Sequence, residues 1–207
     1  MRKNINGGNA MKKLIERFLT IMVICLIMLL LGGSIALAED TILKIGYLLA
    51  SDVSVSKAGS NADMSMEPSF GFALERALEI NESFELGYGG GYQLSGEFGD
   101  YFYNKVHCFP LYLLLNYYPL SIEGLPYLTG HFGYNYMSYN SHDDASLHGV
   151  YYAVGAGIRI VKYPSIRAEL LFTGNKGSGI VEDFWDDTKE EIEVSLSRIS
   201  VNLGLGF

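Results

Sequence analysis

The residues that could do chemistry in this chain are few, and the first group combines histidine with serine. His131 stands alone, whereas Ser146-Leu147-His148 follows the acidic pair Asp143-Asp144. These residue types perform acid–base and nucleophilic catalysis only when a rigid frame orients the serine toward the histidine. Neighbours in a polar stretch lack that frame, and a histidine that alternates with Thr129 on one strand face is more often a hydrogen-bonded structural group. We therefore predict that the chain is not an enzyme.

The second group is a concentration of carboxylates near the end of the chain. It surrounds Phe184 and Trp185 and consists of Glu182, Asp183, Asp186, Asp187, Glu190, Glu191 and Glu193. Hard cations prefer carboxylate oxygens, yet the spacing here matches no defined calcium loop. A solvated, self-repelling loop is the simpler interpretation. The sequence predicts neither a metal site nor a cofactor.

Most other charges lie in strongly alternating segments, which must position them. In residues 149–161, apolar side chains from Val150 to Ile160 occupy every second position. The positions between them carry Tyr151, then alanine and glycine residues, and finally Arg159. A period of two indicates a β-strand with one apolar face.

Eight such segments follow residue 38. They lie at about 41–50, 68–79, 84–95, 106–118, 125–139, 149–161, 165–173 and 191–207. Short connections at 80–83, 119–124 and 162–164 alternate with longer polar ones at 51–67, 96–105, 140–148 and 174–190. An even number of such segments, joined by alternately short and long connections, is typical of a membrane barrel. We therefore predict an all-β fold: an eight-stranded, antiparallel, transmembrane up-and-down barrel.

The distribution of charge between the two strand faces predicts a filled lumen. Charged residues share a face with glycine and alanine, whereas bulky apolar residues occupy the opposite face, which we expect to meet lipid. The predicted lumen charges are Glu75, Glu85, Arg159, Arg167, Glu169 and Arg198. We expect Arg159 to pair with Glu169, because a short turn joins their strands. Buried charges are tolerated when they are paired and hydrogen-bonded, so this lumen would be a polar plug.

The first 38 residues have the features of an export signal. Lys12, Lys13 and Arg17 precede an apolar run from Phe18 to Leu31, and Ala36-Leu37-Ala38 fits a signal peptidase site. We predict cleavage after Ala38, with 39–207 as the barrel domain and Met11 as an alternative start. An uncleaved membrane anchor is the other interpretation, since 18–37 is just long enough to span a bilayer.

Composition excludes several classes of protein. The net charge of −8 in 207 residues argues against nucleic acid as a partner. The chain is 49% hydrophobic and 18% charged, which excludes intrinsic disorder. Two cysteines cannot build a disulfide-dense scaffold or a four-cysteine zinc site.

Three segments resemble the small outer-membrane β-barrel family that includes OmpX, OmpW and the OmpA barrel. They are the export signal, the aromatic strand 109–118 and the terminus 201–207. In that family a final strand with alternating apolar residues and a terminal Phe is read by the barrel-assembly machinery, which implies an assembly signal at Leu203, Leu205 and Phe207. One feature departs from the pattern: Ile192, Val194 and Leu196 are out of phase with 199–207. We expect a bulge near Ser197 to restore the phase.

The resemblance implies an outer-membrane protein of a Gram-negative envelope with a structural or surface-interaction role through its extracellular loops. Its expected partners are outer-membrane lipid, lipopolysaccharide and the assembly machinery, and we expect a monomer. A narrow, porin-like conduit for small or hydrophobic solutes is the second interpretation. A lipid A-modifying enzyme is the third: outer-membrane lipid A deacylases place their histidine two residues before the serine, whereas Ser146 precedes His148 here.

Overall fold

A computed structural model describes residues 39–57, 60–96, 105–120, 126–140, 145–161, 164–182 and 189–207. The strands are β1 (Glu39–Leu48), β2 (Ser51–Lys57), β3 (Ser60–Met66), β4 (Ser69–Asn81), β5 (Phe84–Gln93), β6 (Lys105–Tyr117), β7 (Pro126–Asn140), β8 (Ala145–Val161), β9 (Ser165–Glu182) and β10 (Lys189–Gly206). Within these ranges there is no helix long and apolar enough to cross a membrane. The predicted signal peptide, residues 1–38, lies outside the described residues.

The strands close into a ring of eight. Antiparallel neighbours follow the order β1-β4-β5-β6-β7-β8-β9-β10, and β10 pairs again with β1. At the end of this seam the Phe207 amide donates to the Thr41 carbonyl at 3.0 Å, and the Thr41 amide donates back at 3.2 Å. Closure leaves the ring without a free edge, as a membrane requires. The predicted all-β, eight-stranded up-and-down barrel is confirmed.

The hairpin of β2 and β3 lengthens two walls of this barrel. β2 continues the path of β1 along β10, while β3 pairs with β2 as an extension of β4. The predicted loop at 51–67 is therefore wrong, because β2 and β3 occupy 51–57 and 60–66. The predicted loops at 174–190 and 140–148 also belong largely to strands, since β9 reaches Glu182 and β8 begins at Ala145. These strand ends are polar on their outer face, which makes them resemble loops in the sequence.

The predicted bulge near Ser197 is wrong. The pairing of β10 with β9 keeps one register from Lys189 opposite Glu182 to Gly206 opposite Ser165. The irregularity lies in the neighbouring wall: Ser200 is opposite Leu48, but Ser197 is opposite Asp52, so one extra residue is accommodated between β1 and β2. Along β10 the side chains alternate without interruption.

The two faces of β10 exchange character along its length. Leu203 and Leu205 point out of the barrel and are more than half exposed, whereas Ile192, Val194 and Leu196 point inward and are buried. Their outward neighbours are exposed glutamates, Glu191 and Glu193. A strand must present apolar side chains to lipid and polar ones to water. The lipid-facing section of the barrel therefore ends near Ile199, and the strands continue beyond it as an extension surrounded by water.

Aromatic side chains mark this boundary. Outward-facing rings at this level include Tyr47 and Phe70, whose centroids are 5.4 Å apart, and Tyr92 against Phe109 at 4.6 Å. At the opposite end of the lipid-facing section Phe84 packs on Tyr117 at 4.9 Å. Aromatic rings at both ends of an apolar band are characteristic of membrane barrels.

Candidate functional site: a filled lumen

One lysine and two glutamates from three strands form the first ion cluster in the lumen. Lys44 Nζ lies 2.6 Å from Glu75 Oε2 and 2.7 Å from Glu169 Oε1. The hydroxyl of Tyr112 donates to Glu75 at 2.8 Å, and that of Tyr127 donates to Glu169 at 2.5 Å. All three charged groups are buried, and each one is both paired and hydrogen-bonded, as a charge in a low dielectric requires.

Glycines make room for this cluster. A Cβ atom added to Gly157 would lie 2.5 Å from Tyr127 Cζ and 2.9 Å from Glu169 Cγ. A Cβ on Gly89 would lie 2.8 Å from Glu75 Cγ. Glycine at these lumen-facing positions lets the large polar side chains of other strands cross the barrel.

The second ion cluster is centred on Glu85. Arg159 and Arg167 stand opposite each other on β8 and β9, and both reach across the lumen to this carboxylate, at 2.6 and 2.9 Å. Asn116 Nδ2 and the Tyr118 hydroxyl also donate to it, at 3.1 and 2.9 Å. The Arg159 guanidinium stacks on the Tyr118 ring at 4.5 Å. Glu85 of β5 thus links its own strand to β6, β8 and β9.

An aromatic layer fills the space beside the first ion cluster. The rings of Tyr112 and His131 are stacked, with centroids 4.7 Å apart and planes inclined by 4°. Tyr151 packs near both rings, with its centroid 5.1 Å from that of Tyr112 and 6.4 Å from that of His131. His131 is buried, with Nε2 at 3.2 Å from the Thr129 hydroxyl. It therefore serves as a packing and hydrogen-bonding group.

A small cavity lies beside the first ion cluster and the aromatic layer. Its volume is about 40 Å³, and its polar lining includes Lys44, Gln93, His131, Thr173, Ser200 and Asn202. This volume suffices for a few water molecules and is far below that of a cavity for an organic ligand. Gln93, which lines the cavity, accepts a hydrogen bond at its Oε1 from Asn175 Nδ2 at 3.1 Å.

The extension is closed by an apolar cluster. We call it the apolar seal: Val53, Val55, Met66, Val106, Cys108, Met137, Leu147, Ile192, Val194 and Leu196. Its members come from β2, β3, β6, β7, β8 and β10, so nearly the whole circumference contributes. Outside it, exposed polar groups pair with one another, as Lys176 Nζ does with Glu193 Oε1 at 2.7 Å. This hydrogen bond and the charge of Glu193 raise the pKa of Lys176.

The structure places all six predicted lumen charges inside the barrel, but their pairing differs from the expected one. Glu75, Glu85, Arg167, Glu169 and Arg198 are buried, and the side chain of Arg159 is 19% exposed. The predicted pair of Arg159 with Glu169 is wrong, because Arg159 binds Glu85 and Glu169 binds Lys44. Arg159 lies directly opposite Arg167, whereas Glu169 is opposite Gly157 and closer to Lys44.

Sequence reasoning missed Lys44, Asn116 and Tyr118. A usable signal was present for Lys44, which alternates with the outward-facing Leu43 and Ile45 and therefore shares the face of Gly46. Asn116 and Tyr118 alternate in the same way with Leu115 and Tyr117.

The other candidate residues lie outside the lumen. Ser146 and His148 are exposed on the outer face of β8, where Ser146 Oγ lies 3.0 Å from the Tyr136 hydroxyl and His148 Nδ1 contacts the Tyr134 hydroxyl. Asp143, Asp144 and the acidic stretch 183–188 lie outside the described residues, as do Trp185 and Phe184 within it. In the ranges that the structure describes, no group of three His, Cys, Asp or Glu side chains could hold a metal ion.

The predicted assembly residues form the outward row of the closing strand. Leu203, Leu205 and Phe207 are 63%, 51% and 65% exposed, and Leu203 and Leu205 are opposite Ile45 and Leu43 of β1. Their part in assembly stays a prediction.

We expect removal of Phe207, or replacement of Leu203 and Leu205 by Asp, to lower the amount of folded barrel while export continues. A carboxylate on the lipid face costs less than the roughly 2–4 kcal/mol typical of Lys or Arg at mid-membrane, but two of them would act on the strand that closes the ring. Heat-modifiable gel mobility of the membrane fraction measures folded protein. Ser195→Asp, in the same strand but outside the lipid-facing section, is the control; equal amounts of folded protein in all variants would contradict the prediction.

The closed ring, the apolar outer band and the filled polar lumen together define an integral outer-membrane β-barrel protein. No family model and no curated protein sequence matches the chain. Solved structures of outer-membrane proteins share its fold. OprG from Pseudomonas aeruginosa has a TM-score of 0.55 at 10% identity, covering 83% of this chain and 96% of that one. The outer-membrane protein AlkL, solved in lipid bilayers, has a TM-score of 0.53 at 15% identity, covering 83% and 91%.

Proposed function

We propose that this protein is a closed barrel whose role is to present a rigid, polar β-surface outside the cell. The observation that carries the proposal is the combination of a filled lumen with strands that continue past the lipid-facing section. A conduit needs an open lumen, and strands that serve only to cross the membrane have no need of an extension.

The obstructions of the lumen argue against a transport role. The Glu85 cluster, the Lys44 cluster and the apolar seal all lie within one barrel. The polar side chains of the two clusters bind one another, so they do not contact a solute. The seal adds an apolar barrier, which is unfavourable for ions and polar solutes. Hydrophobic solutes could pass the apolar seal more easily, but their pathway would also have to cross the two charged clusters.

The outer surface of the extension has the properties of a solvent-exposed interaction surface. Ser54 donates to Asp63 at 2.6 Å, and Lys57 pairs with Glu190 at 3.1 Å, both on half-exposed or exposed groups. These contacts span β2, β3 and β10 and so stiffen the surface. We propose lipopolysaccharide and outer-membrane lipid as its immediate surroundings, a monomeric state, and the barrel-assembly machinery as a partner during biogenesis.

Reversal of charge on this surface tests the proposal. Cells that produce Asp63→Lys/Glu191→Lys barrels should differ from wild-type cells in auto-agglutination and in attachment to surfaces coated with extracellular-matrix proteins. Uptake of small polar and hydrophobic solutes should not change. Glu82→Lys, an exposed charge reversal at the opposite end of the barrel, is the matched control. Two results together would contradict the surface role and favour the conduit. The double variant and the wild type would attach equally, and cells that produce the wild type would take up more solute than cells lacking the protein.

The proposed orientation gives a separate prediction. A cysteine replacing the exposed Asp63 in β3 should react with an impermeant thiol reagent on whole cells, because the extension points outward. A cysteine at Glu82, in the turn between β4 and β5, should react only after lysis. Cys108 is buried, so the wild-type barrel provides the background. Equal labelling at both positions on intact cells would contradict this topology.

A further inference from the structure

The buried charges do not balance in the part of the lumen that the structure describes. The described part of the lumen holds four cations and three carboxylates: Lys44, Arg159, Arg167 and Arg198 against Glu75, Glu85 and Glu169. Every carboxylate belongs to one of the two ion clusters. Within the described residues, one cation, Arg198, has no carboxylate partner. Among the buried side chains that the structure describes, the unbalanced positive charge is therefore the one at Arg198.

Arg198 is also short of hydrogen-bond partners. It is 2% exposed, and its Nη1 donates to Ser69 Oγ at 2.8 Å. Its Nε and Nη2 atoms have no partner among the residues that the structure describes. A buried guanidinium with one neutral acceptor loses most of its solvation without compensation.

Unused amide groups lie in the same part of the barrel. Asn135 is fully buried, and neither its Nδ2 nor its Oδ1 has a hydrogen-bond partner in the described chain. The buried Cys108 thiol contacts the Asn135 amide, and the charge of Arg198 acts on the same thiol, so the three side chains lie in one part of the lumen. The seal on one side supplies no acceptor, since its members are apolar apart from this thiol. On the other side Thr173, whose hydroxyl donates to the Arg198 carbonyl at 3.2 Å, lines the cavity together with Gln93 and Ser200.

We propose that the lumen beside Arg198 binds one small monovalent anion of the halide class, such as chloride. Arg198 Nε and Nη2 donate to it, and the Asn135 amide is placed to supply a further N–H. A single negative charge matches the excess of one cation, whereas sulfate or phosphate dianions would overcompensate it. The anion would be a structural part of the plug, independent of the proposed surface role.

Refolding the purified barrel in different sodium salts tests the site. The protein is refolded in chloride, bromide or gluconate at equal ionic strength, since the closed lumen requires the ion to enter during folding. A ligand that binds only the folded state stabilises it according to its concentration. We expect the denaturant midpoint of the wild type to be higher in chloride and bromide than in gluconate, and to saturate as chloride replaces gluconate.

Two variants and one control make the test specific. Arg198→Gln should lose the dependence on the anion. Asn135→Asp should lose it too, because a fixed carboxylate replaces the ion, and this variant should be more stable than the wild type in gluconate. Lys176→Gln, which removes an exposed cation, should keep the full dependence.

Crystals grown in bromide give the direct test. An anomalous peak within hydrogen-bond distance of the Arg198 guanidinium would support the proposal. This test uses the wild-type protein, so it remains valid if Arg198→Gln fails to fold. The proposal is overturned if bromide is absent from the lumen, or if the wild type unfolds at the same midpoint in all three salts. It is equally overturned if Asn135→Asp retains the wild-type dependence on chloride.

Discussion

Barrels that carry Lys44→Met are expected to lose about 3–5 kcal/mol of unfolding free energy, the range observed when one partner of a buried ion pair is removed. Lys44 is the only cation within 4.0 Å of Glu75 and Glu169 among the described residues. Its removal leaves two buried carboxylates facing one another without a counter-charge. The measurement is equilibrium denaturation of the purified barrel in micelles, with the folded fraction read from heat-modifiable gel mobility.

The same geometry ranks the companion variants. Glu169→Ala leaves Lys44 paired with Glu75, so its effect should be smaller than that of Lys44→Met. Lys44→Met combined with Glu169→Gln should recover part of the loss, because only one carboxylate is then left uncompensated. Lys176→Met removes an exposed lysine that is also paired with a glutamate and serves as the matched control, with little change expected. A loss no greater for Lys44→Met than for Lys176→Met would contradict the ion-cluster account.

Val194→Asp in the apolar seal is expected to destabilise the barrel by a similar amount, about 3–5 kcal/mol, because it buries an uncompensated charge. Val194 is fully buried at the centre of the cluster and is four residues from Arg198, too far along the strand for a direct ion pair. Denaturation under the conditions used for Lys44→Met measures the effect.

The adjacent position provides the control for this second prediction. Ser195→Asp introduces the same side chain one residue further on, where it points out of the extension into water, and should change stability little. If Val194→Asp and Ser195→Asp are equally stable, the assignment of an apolar interior to the extension is wrong. The comparison also tests the uninterrupted alternation of β10.

The strand number and the inward-facing positions of the lipid-facing section could be predicted from the sequence, whereas the length of the barrel could not. The alternation in 199–207 indicates which residues face lipid, whereas in 192–196 the apolar residues of the same alternation face inward. They face inward there because water replaces lipid outside the strand. A shift of the apolar side chains from even to odd positions along one strand thus has two physical explanations, a bulge or a membrane boundary. The sequence of that strand alone does not distinguish them.

Which charged side chains pair with one another in the lumen could not be predicted from the sequence either. Arg159 and Glu169 are neighbours in the strand order, but long side chains in an eight-stranded barrel reach across the lumen as easily as along the wall. Glu85 binds arginines from strands three and four places away in the ring. Such contacts depend on stagger and tilt, which fix the height of each residue, and these follow from closure of the whole sheet and not from any one segment.

The central claim, that the lumen is filled and sealed, is tested most directly by single-channel recording of the purified wild-type barrel in planar lipid bilayers. The two ion clusters and the apolar seal predict a membrane conductance at the level of the protein-free bilayer across the voltage range in which the membrane is stable. Large, stable, non-selective openings would contradict the account and establish an open path through the barrel.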